Sequence, residues 1–271
     1  MSTPLSFDDP FVVTPAMREQ FQRDGFIRIK NVLSADEIDR IRPVVDEVVT
    51  EAQKTYPSLD ADGFYHKQFV QVSASWKASP AMKAIAFSKR FAKMATELMG
   101  ARGVRLYHDQ SLYKIPGSSR TFHHQDLSYW PLATEKACAL WIPLQAVTME
   151  MGPLGFYRGS HRIPYRSPDV ITPDGEEKMV EHLKANGCAA SWEPYELGEV
   201  SFHFGWTCHA ALANTTSVVR KVHTINYFED GTVAAEPLPQ QELDWKLFLR
   251  KAKIGEPIAS RHNPLLWENG A

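Results

Sequence analysis

From residue 104 onward, apolar and polar positions alternate over short stretches separated by turn residues. A two-residue period of this kind marks half-buried strands. It predicts strands at 104–107, 110–115, 121–126, 137–147, 154–157, 199–204, 206–212 and 219–228. Pro116-Gly117-Ser118-Ser119 and Met151-Gly152-Pro153 supply turns. Many short strands at near-even spacing close as a sandwich or barrel, and a jelly roll is the version that closes. Before residue 104 the period is helical. Thr14, Pro15 and Gly25 bound a helix over 14–24, and Phe26-Ile27-Arg28-Ile29 follows as a strand. Ser34-Ala35-Asp36-Glu37 is a capping box that opens a helix with Ile38, Ile41, Val45 and Val48 on its apolar face. Pro43 should bend or split that helix. One further helix is predicted over 80–99, with Phe87, Phe91, Met94 and Leu98 on one face and Gly100 as its stop.

Residues 161–198 interrupt the strand series with prolines and a helix at 176–186. A helix at 240–252 and a tail at 255–271 close the chain. The expected organisation is one domain, 1–271. It has a helical scaffold at about 14–100, a jelly-roll core at about 104–230 carrying the insertion, and a carboxy-terminal helix and tail at 240–271. The fold class is mostly β with flanking helices.

Composition narrows the function. The 271 residues are 44% hydrophobic and 23% charged, with a net charge of −2 and no blocks of like charge. That balance predicts neither a nucleic-acid partner nor an anionic membrane surface. No apolar run approaches a membrane span, and Met1-Ser2-Thr3-Pro4-Leu5 lacks the regions of a signal peptide. Cys138, Cys188 and Cys208 lack metal-type spacing and read as reduced thiols of a cytoplasmic protein.

The chemistry centres on Phe122-His123-His124-Gln125-Asp126. On extended backbone, residues two apart point to one face, so His124 and Asp126 can reach one ion. His209, 85 residues later (209 − 124), is the best third ligand. Two histidines and one carboxylate on one side of a metal form the facial triad of non-haem Fe(II) oxygenases. His123 should point to the opposite face as a structural residue. His203 could face inward with His209 on an unbroken strand, but Gly205 predicts a break, and His108, His161 and His223 read as structural. Arg220 opens the strand Arg220–Phe228 and shares a face with Val222, Thr224 and Asn226. An inward guanidinium calls for a partner, and a dicarboxylate co-substrate would supply one through a planar charge-assisted pair.

Taken together, His124-Gln125-Asp126-Leu127-x-Tyr129, Trp141-Ile142-Pro143-Leu144, Gly152-Pro153-Leu154, Gly159-Ser160-His161, then His209, Asn214 and Arg220, resemble the phytanoyl-CoA dioxygenase family. The amino-terminal Phe21-x-x-Asp24-Gly25-Phe26-Ile27 is similar too, so the resemblance spans about residues 15–230. It implies a double-stranded β-helix of the cupin-like kind, Fe(II), 2-oxoglutarate as co-substrate and O₂ as oxidant. His124, Asp126 and His209 would be the metal ligands and Arg220 the partner of the 2-oxoglutarate C5 carboxylate. Trp141 would line the co-substrate pocket. Two departures stand out: Ala211 where the family often has Ser, and Arg158-Gly159-Ser160 in place of Pro-Gly-Ser.

The expected activity is oxidation of a small metabolite, most simply hydroxylation, with succinate and CO₂ as co-products. Desaturation, epimerisation or cyclisation at the same centre, and a cupin-type metal enzyme without 2-oxoglutarate, are the alternatives. Tyr129 and Trp130, just after the ligand turn, are the candidate substrate-side residues, with Gln110 on a neighbouring strand. Segments 63–76 (Phe64, Tyr65, His66, Phe69, Trp76) and 161–198 (Tyr165, Arg166, Trp192) are expected to cover the open end of the barrel.

Overall fold

The computed structural model describes residues 7, 9–54, 70–166 and 172–270. Phe64, Tyr65, His66 and Phe69 therefore lie outside the described residues. Helix α1 (Pro15–Asp24) is capped by Thr14, whose hydroxyl accepts from Met17 N, and ends at Gly25 with φ +84°. A Cβ at Gly25 would stand 2.3 Å from His161 Nδ1, so this tight passage into strand β1 (Phe26–Ile29) admits only glycine. Helix α2 (Ala35–Gln53) opens on the Ser34/Glu37 capping box. Contrary to expectation it is not split by Pro43, which is exposed. The carbonyl that loses its partner there can be hydrated instead.

The helix predicted over 80–99 is two helices, α3 (Pro80–Ala86) and α4 (Lys89–Met99). Ser88 makes the break. Its hydroxyl accepts from Phe91 N, which starts α4, and donates to Phe7 O at 3.0 Å. The side-chain cap and the tie to the amino-terminal segment outcompete two more turns of continuous helix.

The strands form two facing sheets. The larger runs β1, β8 (Val200–Phe204), β5 (Ala137–Pro143), β10 (Arg220–Glu229), β3 (Gly103–Lys114) and β11 (Leu265–Glu268), with β2 (Val70–Ser73) also on β3. The smaller runs β4 (Thr121–His124), β9 (His209–Ala211), β6 (Leu154–Tyr157) and β7 (Ala190–Ser191). This is the jelly roll. The segments predicted at 104–107 and 110–115 are one twelve-residue strand, and β11 lies in the predicted tail. A register shift at Asn226/Tyr227 leaves Tyr107 extra on β3, a bulge that turns its ring toward Trp130 and Phe248.

Alternation along the strands divides the core. Val200, Phe202, Phe204, Ile225 and Tyr227 face the helices in the main apolar cluster. Their neighbours face between the sheets, in two smaller clusters: Tyr107, Leu127, Trp130 and Phe248 in one, Phe26, Trp141, Leu154 and Val222 in the other. A polar group lies on the helical side as well. Asp109 accepts from Ser75 Oγ at 2.7 Å and approaches His223 Nε2 at 3.5 Å, both fully buried, with Asp109 Oδ1 and His223 Nε2 lacking hydrogen-bond partners. Burial pushes the Asp109 carboxyl up to about 6 and His223 down to about 3.

Because Asp109 is raised in the fold above its ordinary value of about 3.9, its contribution is fully present below about pH 4 and is lost as pH rises through about 6. Two pH units correspond to roughly 3 kcal/mol. His223, kept neutral in the fold, contributes the opposite slope as pH falls below about 6.5, so the Asp109 contribution is the difference between wild type and Asp109→Asn, which should narrow as pH rises from 4 to 7. Denaturant melts at pH 4, 5, 6 and 7 that show the same slope in both proteins would contradict this account.

Candidate metal centre and co-substrate pocket

His124 ends β4 and His209 begins β9, and the two are direct partners in that antiparallel pair. An 85-residue separation along the chain thus becomes ring centroids 4.2 Å apart. Gln125 keeps extended backbone (φ −127°, ψ 123°), and Asp126 opens a 3₁₀ turn beyond it. The carboxylate therefore stays on the face of His124. Leu127 N donates to Gly205 O, which fastens that turn to the segment leading into β9.

The donor atoms converge. Asp126 Oδ1 lies 3.8 Å from His124 Nε2 and 3.7 Å from His209 Nε2. One ligand atom from each of the three residues fits within 4.8 Å of the others. Each imidazole has its Nδ1 on a backbone carbonyl two residues earlier, His124 on Phe122 O at 2.8 Å and His209 on Thr207 O at 3.0 Å. That bond places the proton on Nδ1 and leaves Nε2 as a lone pair aimed at the common point. Burial lowers both imidazoles below the usual histidine range, His209 the more strongly, so they stand neutral at pH 7. Burial alone would raise Asp126, but the carboxyl is held well below the usual carboxylate range, with His203 Nε2 at 3.1 Å from its Oδ2. Two neutral imidazoles and an anionic oxygen are the donor set that a divalent iron takes.

A cavity of about 840 Å³ opens from this point between the sheets. Arg220 lines one end of it, 2% exposed. Its Nη1 donates to Gly152 O at 2.5 Å, its Nε has no partner, and no carboxylate of the described residues pairs with it. Trp141 lines the same end, its ring centroid 5.5 Å from the guanidinium carbon. Lys114 pairs with Arg220 in the β3–β10 register and is also fully buried. Its Nζ donates to Ser119 O and Leu212 O, both at 2.8 Å, and burial pushes the ammonium down to about 6, with Arg220 adding to the effect. A buried guanidinium with no carboxylate partner among the described residues leaves this end of the cavity electrostatically incomplete. Ala211 stands on the wall where a serine would have offered a hydroxyl.

Tyr129, Trp130 and Gln110 also line the cavity. Of the expected covering segments, 63–76 reaches the cavity, though not through Trp76, and no described residue of 161–198 does. Trp76 packs on Phe87, Tyr165 beside His182, and Arg166 over Trp206. Trp192 lies against Gly155 on β6. None of these four lines the cavity. The mouth is formed by Gln71, Ser73 and Ala74 of the first of those segments, by Lys77, and by helix α6 (Glu242–Phe248) with Leu243, Asp244, Leu247 and Phe248. Residues 240–252, predicted as one helix, are a short 3₁₀ turn and this seven-residue helix. Asp244 accepts from Tyr107 Oη at 2.9 Å, and burial lifts its carboxyl to about 7. His108, read as structural, faces the cavity, stacked on Phe248 at 4.0 Å and 3.1 Å from Asn226 Nδ2. No sequence period marks these residues, because the packing of α6 on the barrel mouth is not a local property.

His123 points away from the cavity. Its Nδ1 meets Glu176 Oε1 at 2.7 Å and its Nε2 meets Tyr157 Oη at 2.9 Å. Glu176, which also pairs with Arg120, belongs to helix α5 (Pro173–Ala185), so this cluster fastens the insertion to the ligand strand. Cys208 is buried against Met179 and Leu183 of α5. In the departing loop, Arg158 pairs with Asp24, while Ser160 Oγ accepts from Cys208 N at 2.8 Å and steadies the start of β9.

A curated phytanoyl-CoA dioxygenase from Arabidopsis thaliana is 22% identical over 288 aligned residues, covering 91% of this chain and 96% of that protein. Among solved structures, the non-haem α-ketoglutarate-dependent carbocyclase SnoK from nogalamycin biosynthesis superposes with a TM-score of 0.77. It is 22% identical and covers 97% of this chain and 99% of its own. The epimerase SnoN, in complex with Fe³⁺, α-ketoglutarate and nogalamycin RO, superposes with a TM-score of 0.74 at 23% identity, covering 94% of this chain and all of its own. At these identities the structural likeness is one of fold. The profile of the phytanoyl-CoA dioxygenase family matches residues 21–222, three quarters of the sequence and every residue of the converging site, and the chain belongs to that family.

Proposed function

We propose that this protein is an Fe(II)- and 2-oxoglutarate-dependent dioxygenase that oxidises a C–H bond of a small metabolite, in the simplest case by hydroxylation. One observation carries the reading. The three donor atoms of His124, Asp126 and His209 converge in the same cavity in which a buried Arg220 has no anionic partner among the described residues. A metal site alone would not require that guanidinium. A dicarboxylate does, since it can span from the ion to the cation. Iron(II) bound at the triad would couple oxidative decarboxylation of 2-oxoglutarate to reduction of O₂, giving succinate and CO₂ and placing the second oxygen atom on the substrate.

The chain's own residues supply the rest. Arg220 neutralises the far carboxylate, and Trp141 walls that end against water. Tyr129, Trp130 and Gln110 border the space left for substrate, closed by α6. A small apolar Ala211 on the wall removes one donor that a serine would have offered to the carboxylate. The likeness to a carbocyclase and an epimerase favours a second reading, in which the same centre cyclises or epimerises its substrate.

Succinate release across a panel of candidate substrates tests the proposal. The expected result is succinate formed in step with one oxidised product, dependent on added Fe(II) and 2-oxoglutarate. Product formation that proceeds without 2-oxoglutarate would replace it with a cupin-type metal enzyme.

A further inference from the structure

His203 is the titratable residue of the cavity that the reading above leaves without a role. Alternation along β8 sends Val200, Phe202 and Phe204 into the helical core and turns Ser201 and His203 inward. His203 is 3% exposed, lines the cavity, and has its ring 4.3 Å from that of His209 and 5.3 Å from Phe156. Its Nε2 lies 3.1 Å from Asp126 Oδ2, and its Nδ1 is buried with no partner.

These contacts divide the Asp126 carboxylate. Oδ1 faces the two ligand imidazoles at 3.8 and 3.7 Å, while Oδ2 faces His203. A carboxylate oxygen can only accept, so the proton of the His203 ring belongs on Nε2. The tautomer agrees with the other nitrogen, because a buried N–H without an acceptor costs more than a lone pair without a donor. We propose that His203 is a positioning residue that holds Asp126 Oδ2 away from the metal, so that the carboxylate binds through Oδ1 alone and three coordination positions stay open. With Oδ2 released, the carboxylate could chelate through both oxygens and occupy a position that 2-oxoglutarate needs. The inference rests on the iron and 2-oxoglutarate reading and adds what sets the denticity of one ligand.

The test compares two amides of different reach. In His203→Gln the terminal amide nitrogen falls near the place of Nε2 and can still donate to Oδ2. In His203→Asn, one methylene shorter, it cannot. Each protein is loaded with Fe(II) without oxygen and titrated with 2-oxoglutarate while its weak visible charge-transfer band is followed. The expected midpoint is within about threefold of wild type for His203→Gln and raised about 10-fold or more for His203→Asn, the size of effect that outer partners of metal ligands carry. An Asn variant within threefold of wild type, or a Gln variant impaired as much as Asn, overturns the inference while the wild-type band leaves the metal centre standing. A wild-type protein without the band overturns both.

Discussion

Alanine in place of His124 is expected to abolish the charge-transfer band that the wild-type protein gives with Fe(II) and 2-oxoglutarate under argon. The effect should be all or none, because three protein donors are the minimum that fixes the ion on one side of the cavity. Loss of an outer partner alone costs a metal site about 10- to 100-fold, and loss of a ligand exceeds that. The vacated volume would join the existing cavity, and Phe122 O, which His124 Nδ1 holds at 2.8 Å, would be left to water. The fold should survive, since β4 is tied independently by Thr121 to β9 and by His123 to Glu176. His124→Ala protein with a wild-type band would show that the ion sits elsewhere and end the assignment.

The second large effect is that of Arg220→Ala on 2-oxoglutarate. Truncating one partner of a buried charge pair costs about 2–5 kcal/mol, or roughly 30- to 4,000-fold in Kd. Metal affinity should be unchanged, because Arg220 takes part in none of the triad's contacts. Stability without co-substrate should hardly fall. The guanidinium is itself pushed down to about 10 by burial, and ending that desolvation cost offsets the lost hydrogen bond to Gly152 O. Arg220→Lys should recover only part of the affinity, as an ammonium cannot reproduce the planar fork. Calorimetry of 2-oxoglutarate binding to the metal-loaded protein decides the matter, and an unchanged Kd for Arg220→Ala would remove the dicarboxylate from the reading.

The two effects separate the halves of the site. A variant that keeps the metal and loses the co-substrate, beside one that loses both, is the pattern expected if Arg220 and the triad act at opposite ends of one bound molecule. Neither experiment identifies the substrate. Asp244, His108 and Phe248 line the cavity together with Tyr129 and Trp130, and under the proposed function they are the residues to vary when substrates are sought.

What the sequence determined by itself is what short-range physics controls. Serine and threonine caps and a left-handed glycine fixed where helices begin and end. The two-residue period fixed which side chains of β10 look inward, Arg220 among them, and extended backbone through Gln125 put Asp126 beside His124. Tertiary structure decided the rest. Which histidine meets His124 depends on the β4–β9 register, set by burial summed over whole strands. Gly205 made His203 look displaced from the site, yet β8 pairs with β1 and β5 and delivers that ring to Asp126. The bulge at Tyr107 and the seating of α6 over the mouth follow from the same cause. Contacts between residues a hundred positions apart are chosen by the free energy of the assembled core, and no window of sequence contains that sum.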